Sequence, residues 1–240
     1  MFKKDLHTHT NYSDGKTTPE EMVLAAIEKG LETYGISDHS YTSIDDTYCM
    51  KRDRIPEYIA EINALKEKYK DKIELLCGVE QDYFGDLPVD DFDYAIGSVH
   101  YFVAGDKYIP VDESAQIIKD ACDKYFGGDI YAMCEQYYGY MGDIINKTNA
   151  DIIGHFDLVT KFQEQTPLFD ENHPRYVAAW KKAVDKLLKT GKPFEINTGA
   201  ITRGYRTTPY PAKEIQEYIL EHGGSFVQSS DSHEPKNIGV

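Results

Sequence analysis

The sequence predicts an α/β protein whose parallel strands form a (β/α) barrel, closed or nearly closed, with seven strands instead of eight. Short apolar, β-branched runs recur seven times along the 240 residues, and helical patterns lie between them. Several of these runs are apolar at consecutive positions, as expected for strands covered on both faces. Because such barrels commonly reach about 250 residues as one unit, we expect residues 1–240 to form a single barrel domain.

The first helix has clear boundary signals. Thr18 can cap it, and Glu21, three residues later, completes a capping box. Pro19 at its first position and Gly30 after its last turn mark the two ends.

The strands are expected in the stretch leading into Asp5 and His7 and at 32–37, 73–80, 93–100, 150–156, 193–198 and 225–230. The remaining helices are expected at about 55–70, 112–147 with a break near Gly127 and Gly128, 173–190 and 211–222.

Charge and hydropathy exclude several classes of partner. Twenty-six basic and 41 acidic side chains give a net charge of −15, which argues against binding a nucleic acid polymer or an anionic membrane surface. No apolar run approaches the roughly 18 residues of a membrane span, and the first residues lack the apolar core of a signal peptide, so we expect a cytoplasmic protein.

The four cysteines form no Cys-x-x-Cys pair and are expected to be reduced packing residues. Only seven residues follow His233, so we expect the helix that would cover the last strand to lie outside this sequence.

Histidines are concentrated where the predicted strands end. Six of the eight lie at or just beyond a strand's carboxyl end, namely His7, His9, His39, His100, His155 and His233. In an α/β barrel these ends converge on one face, where active sites are built. The carboxylates Asp14, Glu80 and Asp231 share these positions. Imidazoles and carboxylates crowded in a desolvated site are most simply satisfied by divalent cations, so the sequence predicts a metal site.

The spacing of the ligands adds detail. In His7-Thr8-His9 both imidazoles lie on one side of a strand, and Asp231-Ser232-His233 repeats that geometry. Nine nitrogen and oxygen ligands exceed the needs of one ion, so two or three ions that share a bridging carboxylate are expected. Zinc, manganese and iron all suit this donor set. His173 and His222, at helix ends, are interpreted as surface structure.

Seven motifs in this order resemble those of the polymerase and histidinol phosphatase (PHP) family and cover nearly the whole chain. They are HTHTNYSDG (7–15), SDHS (37–40), GVEQDY (78–83), GSVH (97–100), GHFDLV (154–159), EINTGAITRG (195–204) and SSDSH (229–233). Within the family, GHFDLV and EINT most resemble the monofunctional L-histidinol phosphate phosphatases of histidine biosynthesis. The resemblance implies a distorted (β/α)7 TIM-like barrel with a trinuclear metal site at the carboxyl ends of the strands. It also implies a metal-dependent phosphoric monoester hydrolase acting on a small phosphorylated substrate.

The resemblance further implies a role for each ligand. His7, His9, Glu80 and Asp231 would hold one ion; Glu80 would bridge to a second held by His100 and His155; Asp14, His39 and His233 would hold the third. Glu80, Asp231 and His233 are also the candidate catalytic residues. Arg203 is the candidate phosphate binder with Arg206 as its competitor, and Lys161 stands near where the family usually has another arginine. Lysine acts there as a point charge and lacks the bidentate fork of arginine.

Other functions remain open on the sequence alone. A PHP phosphoesterase acting on nucleotides, oligonucleotides or phosphotyrosine would use the same ligands, although the charge of −15 disfavours long polymers. A non-catalytic metal-binding module would be expected to have lost ligands, and all nine are present. Recognition of an imidazole-bearing amino alcohol would need an acidic or aromatic pocket, and the tyrosine-rich segment 125–143 is one candidate, with packing on helices as the alternative.

Overall fold

The computed structural model describes residues 3–240 and contains the predicted seven-stranded parallel sheet. The strands lie in the order β1-β2-β3-β4-β7-β8-β9, which is also their order along the chain. The two missing numbers belong to a hairpin that lies outside this sheet. The strands are β1 (Lys4–Asp5), β2 (Thr33–Ile36), β3 (Glu74–Asp82), β4 (Tyr94–Ser98), β7 (Ile152–Ile153), β8 (Phe194–Asn197) and β9 (Phe226–Ser229). Each lies within or next to a stretch where the sequence predicts a strand.

The barrel is nearly closed by contacts between the first and last strands. Just beyond their ends, Thr8 and Ser232 form a parallel bridge in which the His9 amide donates to the Ser232 carbonyl at 2.8 Å. The buried Asp5 carboxylate accepts hydrogen bonds from the Ser230 amide at 3.0 Å and its hydroxyl at 2.5 Å. These bonds bring the residues after β1 beside those after β9, so the fold prediction is confirmed.

The predicted helices are also present, and the capping box of the first is formed. In α1 (Pro19–Glu28) the Thr18 hydroxyl accepts from the Glu21 amide, and the Glu21 carboxylate accepts from the Thr18 amide. The segment predicted at 112–147 is divided at Gly127, which ends one helix in the left-handed conformation at φ 60°. The other helices are α2 (Ile55–Tyr69), α3 (Ala115–Phe126), α4 (Ile130–Met141), α5 (Ile144–Thr148), α6 (Pro174–Leu188), α7 (Gly199–Thr202) and α8 (Lys213–Glu221).

One element between β4 and α3 has no counterpart in the prediction. Strands β5 (Tyr101–Ala104) and β6 (Lys107–Pro110) form an antiparallel hairpin outside the barrel sheet. Gly105 occupies its turn at φ +64°, a conformation that glycine adopts without steric cost. The Val111 amide then donates to the His100 carbonyl at 2.9 Å. The hairpin therefore stands directly beside one of the predicted metal ligands.

The last residues pack along α1. Lys29 donates from its Nζ to the carbonyls of Lys236 and Ile238 at 2.6 and 2.7 Å, and the Ile238 side chain is buried in the cluster around α1 and α2. All four cysteines are buried with free thiols, in agreement with their prediction as packing residues. Within residues 3–240, no helix combines the length and apolarity needed to cross a membrane.

Candidate metal centre

The nine predicted ligands meet at the carboxyl end of the barrel. They comprise His7 and His9 beyond β1, Asp14 in the loop that follows, His39 beyond β2, Glu80 within β3, His100 beyond β4, His155 beyond β7, and Asp231 and His233 beyond β9. Seven are buried, whereas Asp14 is exposed and His233 is partly exposed. They fall into four overlapping groups, and in each group the candidate ligand atoms lie within 4.8 Å of one another.

One set of donor atoms surrounds the Oε2 atom of Glu80. His7 Nε2 lies 3.3 Å and His9 Nε2 3.7 Å from this oxygen. Asp231 Oδ1 lies 3.3 Å from His9 Nε2 and 3.9 Å from His7 Nε2. Both imidazoles thus lie near both carboxylates, and these four residues are the set that the family resemblance implies for the first ion.

The other oxygen of Glu80 faces a second pair of imidazoles. Glu80 Oε1 lies 3.0 Å from His155 Nε2 and 3.4 Å from His100 Nε2. Because its two oxygens face different histidine pairs, Glu80 has the geometry of a bridging carboxylate.

Asp14, His39 and His233 form the outer group of ligands in the centre. Asp14 Oδ2 lies 3.3 Å from His233 Nε2, and Asp14 Oδ1 lies 3.7 Å from His39 Nε2. His9 also contributes here, since its Nδ1 lies 3.9 Å from Asp14 Oδ1. The other ring nitrogen of His39 lies 2.7 Å from Glu80 Oε2, so this imidazole connects the outer group to the bridging carboxylate.

The buried polar atoms of the centre fit divalent cations. Within residues 3–240, the buried His7 Nε2 and both buried ring nitrogens of His9 have no hydrogen-bond partner. Such unsatisfied groups are costly in a folded protein unless another species binds them. Imidazole nitrogens and carboxylate oxygens at these separations are donors that zinc, manganese and iron accept.

The electrostatics show competition between protons and cations. Burial lowers the pKa of His100, but Glu80 and Asp82 outweigh burial and raise it to about 9. Burial, with His233 and His39 nearby, lowers the pKa of His9 to about 3. Burial raises the pKa of Glu80, but the surrounding imidazoles hold it well below its usual value. At neutral pH the centre therefore has ionised carboxylates and partly protonated imidazoles, whose protons a cation would displace.

Carboxylates behind the ligands hold their orientation, and the sequence prediction did not include them. Glu195 is fully buried in β8, where it lies 2.6 Å from His7 Nδ1 and accepts from the His155 amide at 2.8 Å. Asp82 lies 3.1 Å from His100 Nδ1. Carboxylates in this position fix the tautomer of a ligating histidine and strengthen it as a donor. The signal for Glu195 was an acidic residue between the apolar Phe194 and Ile196 in the predicted strand PFEINT.

The loop that bears Asp14 is held by a third carboxylate that the sequence prediction did not include. The buried Asp38 carboxylate accepts from the Thr10 amide and hydroxyl, both at 2.7 Å, and from the Ser13 amide at 3.1 Å. Gly15 is packed against backbone, because a Cβ atom there would lie 2.5 Å from the carbonyl of His9. The position of Asp14 thus depends on a hydrogen-bonded loop with little room.

Two of the three predicted phosphate binders reach the centre. Lys161 and Arg203 line a pocket of about 200 Å³ together with seven of the nine ligands, all but His7 and His9. Arg203 donates to Asp231 Oδ2 at 2.9 Å, and Lys161 Nζ donates to the Asp112 carbonyl at 2.7 Å. Arg206 does not line this pocket: it is 8% exposed and its Nη1 lies 3.7 Å from Asp157 Oδ2.

The remaining histidines and the tyrosine-rich segment lie away from the centre. His173 caps α6 and stacks on Tyr131 at 3.8 Å, and His222 ends α8. Tyr137 and Tyr138 are buried in the core, and no tyrosine of 125–143 lines the pocket. That segment therefore packs helices, and the hypothesis that it supplies a substrate pocket is not supported.

Comparison with known proteins agrees with this geometry. The PHP domain family model matches residues 5–199. A Deinococcus radiodurans protein named probable histidinol-phosphatase is 29% identical, covering 98% of this chain and 88% of that protein. The crystal structure of the hisK protein of Listeria monocytogenes has a TM-score of 0.82 at 24% identity, covering 98% of this chain and 97% of that one. The Lactococcus lactis histidinol phosphate phosphatase, solved with zinc, L-histidinol and phosphate, has a TM-score of 0.70 at 24% identity, covering 97% and 86%.

Proposed function

Because the chain belongs to the PHP domain family, we propose that it is a metal-dependent phosphatase that hydrolyses L-histidinol phosphate to L-histidinol and phosphate. The observation that carries the proposal is a pocket in which seven ligands of the centre adjoin Lys161 and Arg203. The relative from D. radiodurans, which matches nearly the whole chain, has the corresponding name. The substrate would be small, in keeping with a pocket of about 200 Å³.

The centre would hold two or three divalent ions, with zinc, manganese or iron as the candidates. His7, His9, Glu80 and Asp231 would hold one ion, and Glu80 would share a second with His100 and His155. The outer group of Asp14, His39 and His233 would hold a third. When bound, such ions lower the pKa of water and offset the charge that develops on a phosphoryl group.

The protein's own side chains would orient the ester. Arg203 can present a planar, permanently charged guanidinium to the phosphoryl oxygens, while Lys161 contributes a point charge. The hydrogen bond from Arg203 to Asp231 Oδ2 keeps the guanidinium beside the ligands. Glu80, Asp231 and His233 are the proposed catalytic residues because they adjoin the place where the phosphate would sit. Arg206 is left as a structural partner of Asp157.

Phosphate release from three substrates at matched concentrations tests the proposal. L-Histidinol phosphate should have the highest catalytic efficiency, with a nucleoside monophosphate and phosphotyrosine hydrolysed much less efficiently. A preference for either of the latter would refute the substrate while preserving a phosphatase. Among variants, His100→Ala should lose activity and bound metal, whereas His222→Ala, at the exposed end of α8, should retain both.

A further inference from the structure

A cavity of about 490 Å³ lies between α6 and α8 and shares no described lining residue with the metal pocket. Its apolar floor includes Trp180 and Ile215, which are 5% and 2% exposed. Four carboxylates also line it, namely those of Glu171, Glu214, Glu217 and Glu221. Lys181 is the one basic side chain among the described residues of the lining, so four acids and one lysine give it a formal charge of −3. The cavity thus combines an apolar floor with an excess of negative charge.

Three of these carboxylates follow one side of the cavity along α8. Glu214, Glu217 and Glu221 are three and then four positions apart, so they share one face of the helix. A rise of 1.5 Å per residue spaces them about 4.5 and 6 Å apart along the helix axis. Glu217 pairs with Lys213 at 3.2 Å, whereas Glu214 and Glu221 have no ion-pair partner within residues 3–240. This face is therefore a row of negative charge that is only partly neutralised.

The aromatic rings of the cavity already contact an ammonium group. Lys181 Nζ lies 5.5 Å from the ring centroid of Trp180 and 5.0 Å from that of Tyr218. The two rings meet edge to face, with their centroids 5.3 Å apart. Both cation distances are below the roughly 6 Å at which a ring face attracts an ammonium group. Because Lys181 has no carboxylate partner within residues 3–240, these rings are its main contacts with opposite electrostatic character, and they show that the cavity accommodates a cation.

Glu171 adds a partly buried carboxylate to the same cavity. Burial raises the pKa of its carboxyl, and repulsion from Asp157 and Glu214 adds to the rise. The attraction of the nearby Arg206 does not reverse it. A positive charge placed beside such a carboxylate stabilises its ionised form. Glu171 would therefore gain from a cation bound in the cavity.

We propose that the cavity between α6 and α8 binds a linear aliphatic polyamine, whose ammonium groups pair with the carboxylates of α8 while its methylene groups lie on Trp180. Spermidine separates its ammonium groups by three-carbon and four-carbon chains, which suits carboxylates three and four residues apart. The apolar floor favours methylene groups, whereas a bare metal ion would make no use of it. The bound polyamine displaces the Lys181 ammonium group from the rings. The site lies apart from the metal centre and does not depend on the proposed phosphatase function.

The fluorescence of Trp180 reports on this cavity directly, because it is the only tryptophan in the chain. Titration with spermidine should change its emission in a saturable way, and calorimetry on the same samples should give the same affinity. The uncharged 1,8-octanediol, a chain of similar length, should cause no saturable change. Magnesium chloride at matched ionic strength controls for screening and for simple cation binding. The absence of both an emission change and a heat signal with spermidine, or an equal response to magnesium, would overturn the proposal.

Two pairs of variants separate the cavity from the overall charge of the protein. Glu214→Gln should weaken spermidine binding about fivefold, the upper end of what an exposed ion pair contributes. Glu67→Gln removes the same charge from an exposed position of α2 outside the cavity and should leave binding unchanged.

Lys181→Gln should have the opposite effect and strengthen spermidine binding about fivefold, because it removes a competing ammonium group. Lys182→Gln changes the next residue, which does not line this cavity, and should bind as the natural protein does. Equal effects of a cavity variant and its control would show that only net charge matters, and would overturn the proposal.

Discussion

Glu195 provides the sharpest test of how the barrel prepares its ligands. Three donors point at its buried carboxylate: His7 Nδ1 at 2.6 Å, the His155 amide at 2.8 Å and Asn197 Nδ2 at 3.0 Å. In Glu195→Gln one oxygen becomes an NH₂ group, so at least one of these donors loses its acceptor. Leaving a buried donor unsatisfied costs about 1–3 kcal/mol. Loss of a carboxylate behind a ligating histidine lowers metal affinity about 10- to 100-fold, or about 1.4–2.8 kcal/mol.

Zinc competition titration with a chromophoric chelator, together with thermal unfolding of the zinc-free protein, measures both effects. Glu74→Gln is the matched control, because Glu74 lies exposed at the first position of β3, away from Glu80. Within residues 3–240 its carboxylate accepts a hydrogen bond only from the Thr33 hydroxyl, at 2.7 Å. We expect unchanged zinc affinity in that variant. The reasoning is refuted if Glu195→Gln binds zinc within twofold of the natural protein.

Three further results are expected. The pKa of His100 is raised to about 9 in the folded protein, so this imidazole is protonated at pH 7. Zinc affinity should therefore rise between pH 7 and 9, and zinc binding at pH 7 should release a proton. Calorimetry in buffers of different ionisation enthalpy measures this release, and finding none would contradict the prediction. Gly15→Ala should displace the loop that bears Asp14, because the added Cβ atom would lie 2.5 Å from backbone atoms. Metal analysis should then find one bound ion fewer per protein. An unchanged number of ions would contradict a metal site formed by the outer group. Tyr58→Phe removes the hydroxyl that donates to carbonyls of β2 and β3. Urea unfolding should show that the free energy of unfolding falls by about 1–2 kcal/mol. The same change at the exposed Tyr108 should have little effect on this free energy.

The sequence predicted the barrel and the centre together because both depend on strand order. Parallel strands bring their carboxyl ends to one face, so a histidine after each of several strands must lie near the others whatever the details of the loops. His7 and Glu80, 73 positions apart in the chain, are therefore placed within 3.3 Å of each other by topology alone. The bridging role of Glu80 came from the family resemblance instead, and the structure places this carboxylate within the long third strand.

Apart from the supporting carboxylates in the strands, the parts that the sequence did not predict depend on loops. Whether Arg203 or Arg206 reaches the pocket is decided by the course of the chain after β8, where Arg206 turns toward Asp157 instead. Beside the metal pocket, a cavity of about 300 Å³ is lined both by Asp45, from the loop after β2, and by Tyr101, from the unpredicted hairpin. No strand period or motif links two such segments, so their proximity required the folded structure.

Phosphate release from L-histidinol phosphate by chelator-stripped protein, before and after divalent ions are restored, tests the account most directly. The nine-ligand centre predicts no measurable hydrolysis by the stripped protein and recovery when zinc, manganese or iron(II) is added. Hydrolysis that persists at the same rate in the stripped protein would contradict a metal-dependent reaction. Failure of every ion to restore hydrolysis, in protein shown to have bound it, would contradict the proposed phosphatase.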